Sequence, residues 1–169
     1  MTIYSIIHVP DTRLRAPTEA ITVFDTNLQQ LIEDMFETMY AAKGVGLAAP
    51  QIAISKKLAV IDASANKSST FCLINPEITE RRDETPMEEG CLSVPGIYDK
   101  VPRALWLKLS ALDRYGKPYE IEAEGLLAHC IQHEIDHLNG KLFLDYLSPL
   151  KRQLALKKLE KIKKKQARP

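Results

Sequence analysis

The segment QHEIDHL, residues 132–138, fixes what must lie at the centre of any fold this chain adopts. In HEIDH, His133 and His137 are four residues apart. On an α-helix such residues stand one above the other on one face, so both imidazoles can point at a single metal ion. Glu134 sits beside them, placed to take a proton from a water at that metal. Two histidines leave the site incomplete, because catalytic centres of this kind use three protein ligands and one open position. The chain must therefore wrap a helix and bring a third ligand to it from elsewhere.

Neither His129 nor Cys130 can easily be that ligand. They precede His137 by eight and seven residues, roughly 10 to 12 Å along the helix axis at about 1.5 Å per residue. Cys130 reads as a small buried hydrophobe in the wall beside the metal, and His129 as a packed or partly exposed imidazole. Cys72, in the apolar run 71–74, reads as core. Cys91 differs, since it lies in EEGCLSVP where the chain passes from loop to extended backbone. Gly90 before it permits close backbone approach, and a thiolate beside a divalent cation stays deprotonated. Cys91 is the expected third ligand, with Asp136 and Asp145 as the carboxylate alternatives.

The stretch GVGLAAPQ, residues 44–51, has little bulk and lacks the lysine and hydroxyl of a phosphate loop. It reads as a helix terminator that lets another segment come close. Its last residue, Gln51, offers an amide donor after a rigid proline. Such a donor, with the backbone N–H of Leu92, is what an oxyanion formed during amide hydrolysis needs.

Elsewhere the apolar periodicity places a helix over residues 26–43, with Thr26 and Gln29 as a capping box and Leu28, Leu31, Ile32, Met35, Phe36 and Met39 as its buried stripe. Strands are expected at 57–62 and 70–75, with a polar extended piece near Ile78. Pro76, the loop 66–69 and Pro86 are their punctuation. Alternation at 105–111, a turn at 113–117 and alternation at 119–124 predict a hairpin with one wet face. Strands precede the HEIDH helix without regular strand–helix alternation, so the class is α+β. With 169 residues the chain suits one domain.

The charge is uneven. Residues 151–169 hold nine of the 23 basic side chains and one acid, Glu160, making that tail about +8 and residues 1–150 about −7. A basic helical tail, 151–169, is thus expected to follow a catalytic metallohydrolase domain, 1–150. Leu147, Leu150 and Leu154 should pack its first turns, with the rest solvated. No apolar run approaches the roughly 18 residues of a membrane helix, and no targeting leader is expected. Three cysteines, an odd number, suit a reducing cytoplasm rather than a disulfide framework.

Taken in order, GVGLAAPQ, EGCLS (89–93) and QHEIDHL make the chain resemble the bacterial-type peptide deformylases along essentially its whole length. That resemblance implies an α+β deformylase-like fold, with antiparallel sheets around the HEIDH helix and a C-terminal helix. It implies removal of formyl from the formyl-methionine of new proteins. Cys91, His133 and His137 would hold Fe(II), for which Zn, Ni or Co can substitute. Glu134 would be the acid/base, and Gln51 and Leu92 would stabilise the oxyanion beside Gly46. Val45, Gly46, Met87, Glu89, Gly90, Leu126, Leu127, Cys130 and His133 would surround the substrate. The implied partners are formyl-methionyl nascent peptides and, through the tail, the ribosome near the nascent-chain exit, for a cytoplasmic monomer. Two positions depart from the pattern: Tyr98 where an arginine is usual, and His129 where an aliphatic residue is usual. Two other readings compete with this one: an HExxH peptidase cutting internal bonds, and a non-catalytic metal or ribosome-binding module.

Overall fold

A computed structural model describes residues 2–64 and 69–167, so most of the loop expected at 66–69 lies outside it. The elements run α1 (Thr26–Ala41), β1 (Gly46–Ala48), a 3-10 turn (Ala49–Ile52), β2 (Leu58–Asp62), β3 (Thr70–Cys91), β4 (Val94–Leu112), β5 (Pro118–Glu124), α2 (Gly125–Leu138) and α3 (Pro149–Ala167). All five strands join one antiparallel sheet in the order β1-β2-β3-β4-β5. The fold is α+β. Among the described residues no helix is long and apolar enough to cross a membrane.

The sheet is covered on both faces where β2 lies. Ala59 and Ile61 face one way, into a core shared with Ala128, Ile131, Ile135 and Leu138 of α2. Leu58 and Val60 face the other way, against Ile32, Met35 and Met39 of α1. A strand buried on both faces cannot alternate apolar with polar, which is why LAVI is apolar without a break. The methionine stripe of α1 is plain core, with Met35 and Met39 fully buried.

Three local expectations are corrected. The N-cap of α1 is Asp25, whose carboxylate accepts from the Leu28 N–H at 3.0 Å, rather than Thr26. Both residues are cap formers, and Asp25 is the one with extended backbone. Neither Pro76 nor Pro86 ends a strand: β3 passes through both. The pairing slips between Ile74 and Glu77, a bulge that absorbs Pro76, and Pro86 faces Pro102, so neither residue there owes its partner an N–H.

The third correction concerns α3. Leu150 and Leu154 are exposed, while Ala155 and Leu159 are buried against Val9, Leu14, Val94, Ile97 and Phe143. Lys163 Nζ, one turn further on, donates to the Val9 carbonyl. Arg152, Ala155, Leu159 and Ile162 recur at three- and four-residue spacing, so the packed stripe runs most of the helix length rather than its first turns.

Candidate metal centre

Two elements deliver the three side chains of the candidate metal site. β3 ends at Cys91, and α2 presents His133 and His137 one turn apart. Cys91 Sγ lies 3.3 Å from His137 Nε2, which lies 3.1 Å from His133 Nε2. The three donor atoms are all within 4.8 Å of one another. A tetrahedral ion with bonds of about 2.0 to 2.3 Å separates such donors by roughly 3.3 to 3.6 Å. The spacing therefore fits one cation with little adjustment.

The surroundings point the same way. His133 Nδ1 donates to Glu89 Oε1, which leaves the Nε2 lone pair facing the centre. Burial alone would lower the pKa of His133, yet Glu134, Cys91 and Glu89 outweigh it and hold it above the ordinary value. That surplus of negative charge is what a cation at Nε2 would balance. At His137, burial and then the facing His133 hold the imidazole well below the ordinary range, in the neutral form a metal requires.

Glu89 is itself held on four sides. Arg103 donates to both its oxygens, Nε at 2.9 Å and Nη2 at 2.7 Å, and His129 Nε2 approaches at 2.8 Å. Burial would push the Glu89 carboxyl up, but the hydrogen bonds from His129, His133 and Arg103 hold it far below the carboxylate range. Arg103 Nη1 then reaches Asp136 at 2.7 Å, and Tyr146 donates to the same oxygen at 2.9 Å. Asp136 is thereby engaged away from the centre. Asp145 pairs with Arg15, so neither carboxylate alternative competes with Cys91.

Glu134 is buried, and its Oε1 has no hydrogen-bond partner among the described residues. Burial pushes its carboxyl up to about 7, against the opposing pull of His133. Gly46 at the start of β1 presses on it: a β-carbon there would lie 2.9 Å from Glu134 Cδ and closer still to Oε2. The adjoining 3-10 turn supplies Gln51. Its Oε1 accepts from the Ala48 N–H at 2.9 Å, which turns Nε2 toward Ser93 Oγ at 3.1 Å and Cys91 Sγ at 3.6 Å. The arrangement combines a cation site, a carboxylate able to exchange a proton near neutral pH, and a fixed amide donor.

These groups open onto a cavity of about 480 Å³. Val45, Gly46, Glu89, Gly90, Leu126, Cys130 and His133 line it, with Leu92, His129 and Tyr98. Met87 and Leu127, both expected there, do not. Met87 stands four residues of extended strand, about 13 Å, before Cys91. Leu127 is turned about 100° from Leu126 on α2 and packs into the core under the sheet. Glu89 lines the cavity but spends its carboxylate on Arg103 and two histidines. Burial, with Glu134 and Glu89, pushes the Cys130 thiol up to about 12, so it stays protonated wall.

Sequence reasoning missed Arg103 and Ser93. Neither carries a spacing signal, since Arg103 serves a carboxylate 14 residues away and Ser93 an amide 42 away. The pairing of β4 with β3 brings Arg103 to Glu89, and the packing of the turn between those strands against the 3-10 turn brings Ser93 to Gln51.

The family model for polypeptide deformylase matches residues 3–153. A peptide deformylase of Tolumonas auensis is 56% identical over 162 residues, covering 96% of this chain and 97% of that protein. The crystal structure of a peptide deformylase from Legionella pneumophila is 56% identical, with TM-score 0.96 and 99% of each chain covered. One from Synechococcus elongatus, in complex with actinonin, is 43% identical with TM-score 0.88, covering 92% of this chain and 86% of that one.

Proposed function

The chain belongs to the polypeptide deformylase family, and from that membership we propose the part that each side chain of the cavity plays. The protein is a peptide deformylase, a metal-dependent amide hydrolase that removes formyl from the N-terminal formyl-methionine of newly synthesised proteins. Cys91, His133 and His137 hold the metal. The native ion is Fe(II), with Zn, Ni or Co as substitutes, a choice supported by a thiolate and two imidazoles, which suit late first-row divalent ions. When bound, such an ion supplies Lewis acidity that makes water nucleophilic near neutral pH.

The observation that carries the assignment is the buried carboxylate of Glu134, whose Oε1 has no hydrogen-bond partner among the described residues, beside three converging donors. Glu134 accepts a proton from the water that attacks the formyl carbon. Gln51 Nε2 and the Leu92 N–H stabilise the negative charge on the former carbonyl oxygen, an interaction worth about 2.7 to 4 kcal/mol per donor. Glu134 then gives its proton to the leaving nitrogen as the formyl C–N bond breaks. Formate and a free α-amine result. Val45, Leu126, Cys130 and the backbone at Gly46 and Gly90 enclose the methionine side chain in a compliant apolar wall that suits a thioether.

The exposed lysines of α3 dock the enzyme on ribosomal RNA near the nascent-chain exit, where it acts as a cytoplasmic monomer. Support for this comes from the charge division between tail and body, which favours phosphate-dominated contact.

The test is formate release from formyl-Met-Ala by protein loaded anaerobically with Fe(II), beside its zinc form and an internal-peptide control. Stoichiometric formate, faster with iron, and an uncut control are expected. Internal cleavage without formate would instead support the peptidase reading.

A further inference from the structure

Glu89, the residue that orients His133, has a saturated carboxylate. Such a group offers about four lone-pair sites. At Oε1 they meet His133 Nδ1 and Arg103 Nη2, the latter at 2.7 Å. At Oε2 they meet Arg103 Nε at 2.9 Å and His129 Nε2 at 2.8 Å. Arg103 donates to both oxygens, which keeps Glu89 ionised and able only to accept, so His129 Nε2 carries the proton of its bond.

The deformylation chemistry does not use His129, yet its place is specific. It lies one turn before His133 on α2, so a single helix face sends one imidazole to each oxygen of the carboxylate. Glu89 sits at the end of β3, two residues before Cys91. The contact therefore ties the strand that delivers Cys91 to the helix that delivers both histidines. His129 also lines the cavity, which Arg103 does not. Its side chain is 13% exposed where that of Glu89 is 3% exposed, so the imidazole stands between the carboxylate and solvent.

We propose that His129 is a positioning residue for the metal centre, acting through Glu89 to hold Cys91 and His133 at the spacing that retains the ion. The proposal rests on the reading of Cys91, His133 and His137 as the metal ligands given above. Without the imidazole N–H, Oε2 keeps Arg103 Nε alone, and water entering from the cavity exchanges where a side chain was fixed. Glu89 is then free to rotate, His133 Nδ1 loses a fixed acceptor, and the ligand geometry loosens. Removing the direct partner of a metal-binding histidine costs about 10- to 100-fold in metal affinity. His129 is one bond further out and Arg103 remains, so the expected loss is smaller, about three- to tenfold.

The rate at which the zinc-loaded protein gives up its ion to an excess of chromogenic chelator tests this. His129→Gln places an amide N–H near the position of Nε2, whereas the shorter amide of His129→Asn falls short of Oε2 and His129→Leu has no donor. His129→Leu and His129→Asn should lose zinc about three- to tenfold faster than the unaltered protein, and His129→Gln at a rate within about twofold of it. Rescue by glutamine but not by asparagine separates a hydrogen bond at Oε2 from mere filling of the helix face, and this pair carries the test if the leucine form does not fold. Unaltered zinc loss in His129→Asn, or loss from His129→Gln as fast as from His129→Asn, would overturn the assignment. Failure of the unaltered protein to hold one zinc per chain would instead overturn the metal-site reading, and the role of His129 with it.

Discussion

Gly46 is a glycine because Glu134 occupies the space where its side chain would be. The carboxylate proposed to exchange a proton is held between α2 and the edge of β1, and its ionisation near neutral pH comes from that burial. Gly46→Ala should therefore push Glu134 off its line to the attacking water. A displacement of about 1 Å costs on the order of a hundredfold in rate, so kcat for formyl-Met-Ala should fall by about that factor, with metal content unchanged. Steady-state kinetics with metal analysis check it, and a kcat within threefold of the parent would contradict the packing argument. Residues such as His133, Glu134 and His137 were legible in the sequence because the helical repeat that joins them is local. Arg103 and Ser93 were not, because their partners come from other strands or turns and no periodicity links them.

At the scale of elements, the helices and the β4–β5 hairpin followed from apolar spacing, and the departures have specific causes. β3 runs through two prolines because one falls in a bulge and the other faces a proline, a detail of register that composition does not carry. α3 packs on the stripe through Ala155 and Leu159 rather than on its exposed leucines, since the groove formed by Val9, Val94 and Phe143 exists only once the body has folded. Its buried and charged faces can therefore be separated experimentally. Changing the exposed Lys157, Lys158, Lys161, Lys164 and Lys165 to Glu should reduce binding to bacterial ribosomes at low salt by more than tenfold and flatten its salt dependence. The rate on formyl-Met-Ala should stay within twofold. Removing residues 151–169 should in addition lower thermal stability, by about 2 to 4 kcal/mol for the buried Ala155 and Leu159 contacts. Cosedimentation and thermal melts check both, and undiminished ribosome binding by the glutamate form would sink the docking role.

For the whole molecule, the sheet makes the centre by being buried twice. α1 covers one face of β2 and α2 the other, and this fixes α2 against the end of β3 so that Cys91 meets both histidines. The second layer, Glu89 with Arg103 and Asp136, ties β3, β4 and α2 into one unit behind the metal ligands. The central claim is that metal binding and proton transfer are divided between Cys91, His133 and His137 on one side and Glu134 on the other. Its most direct test is the metal content and formate release of Glu134→Ala measured on the same preparation. One metal per chain, as in the parent, with turnover on formyl-Met-Ala reduced by at least about a hundredfold, is the predicted result. Loss of the metal, or turnover within tenfold of the parent, would contradict it.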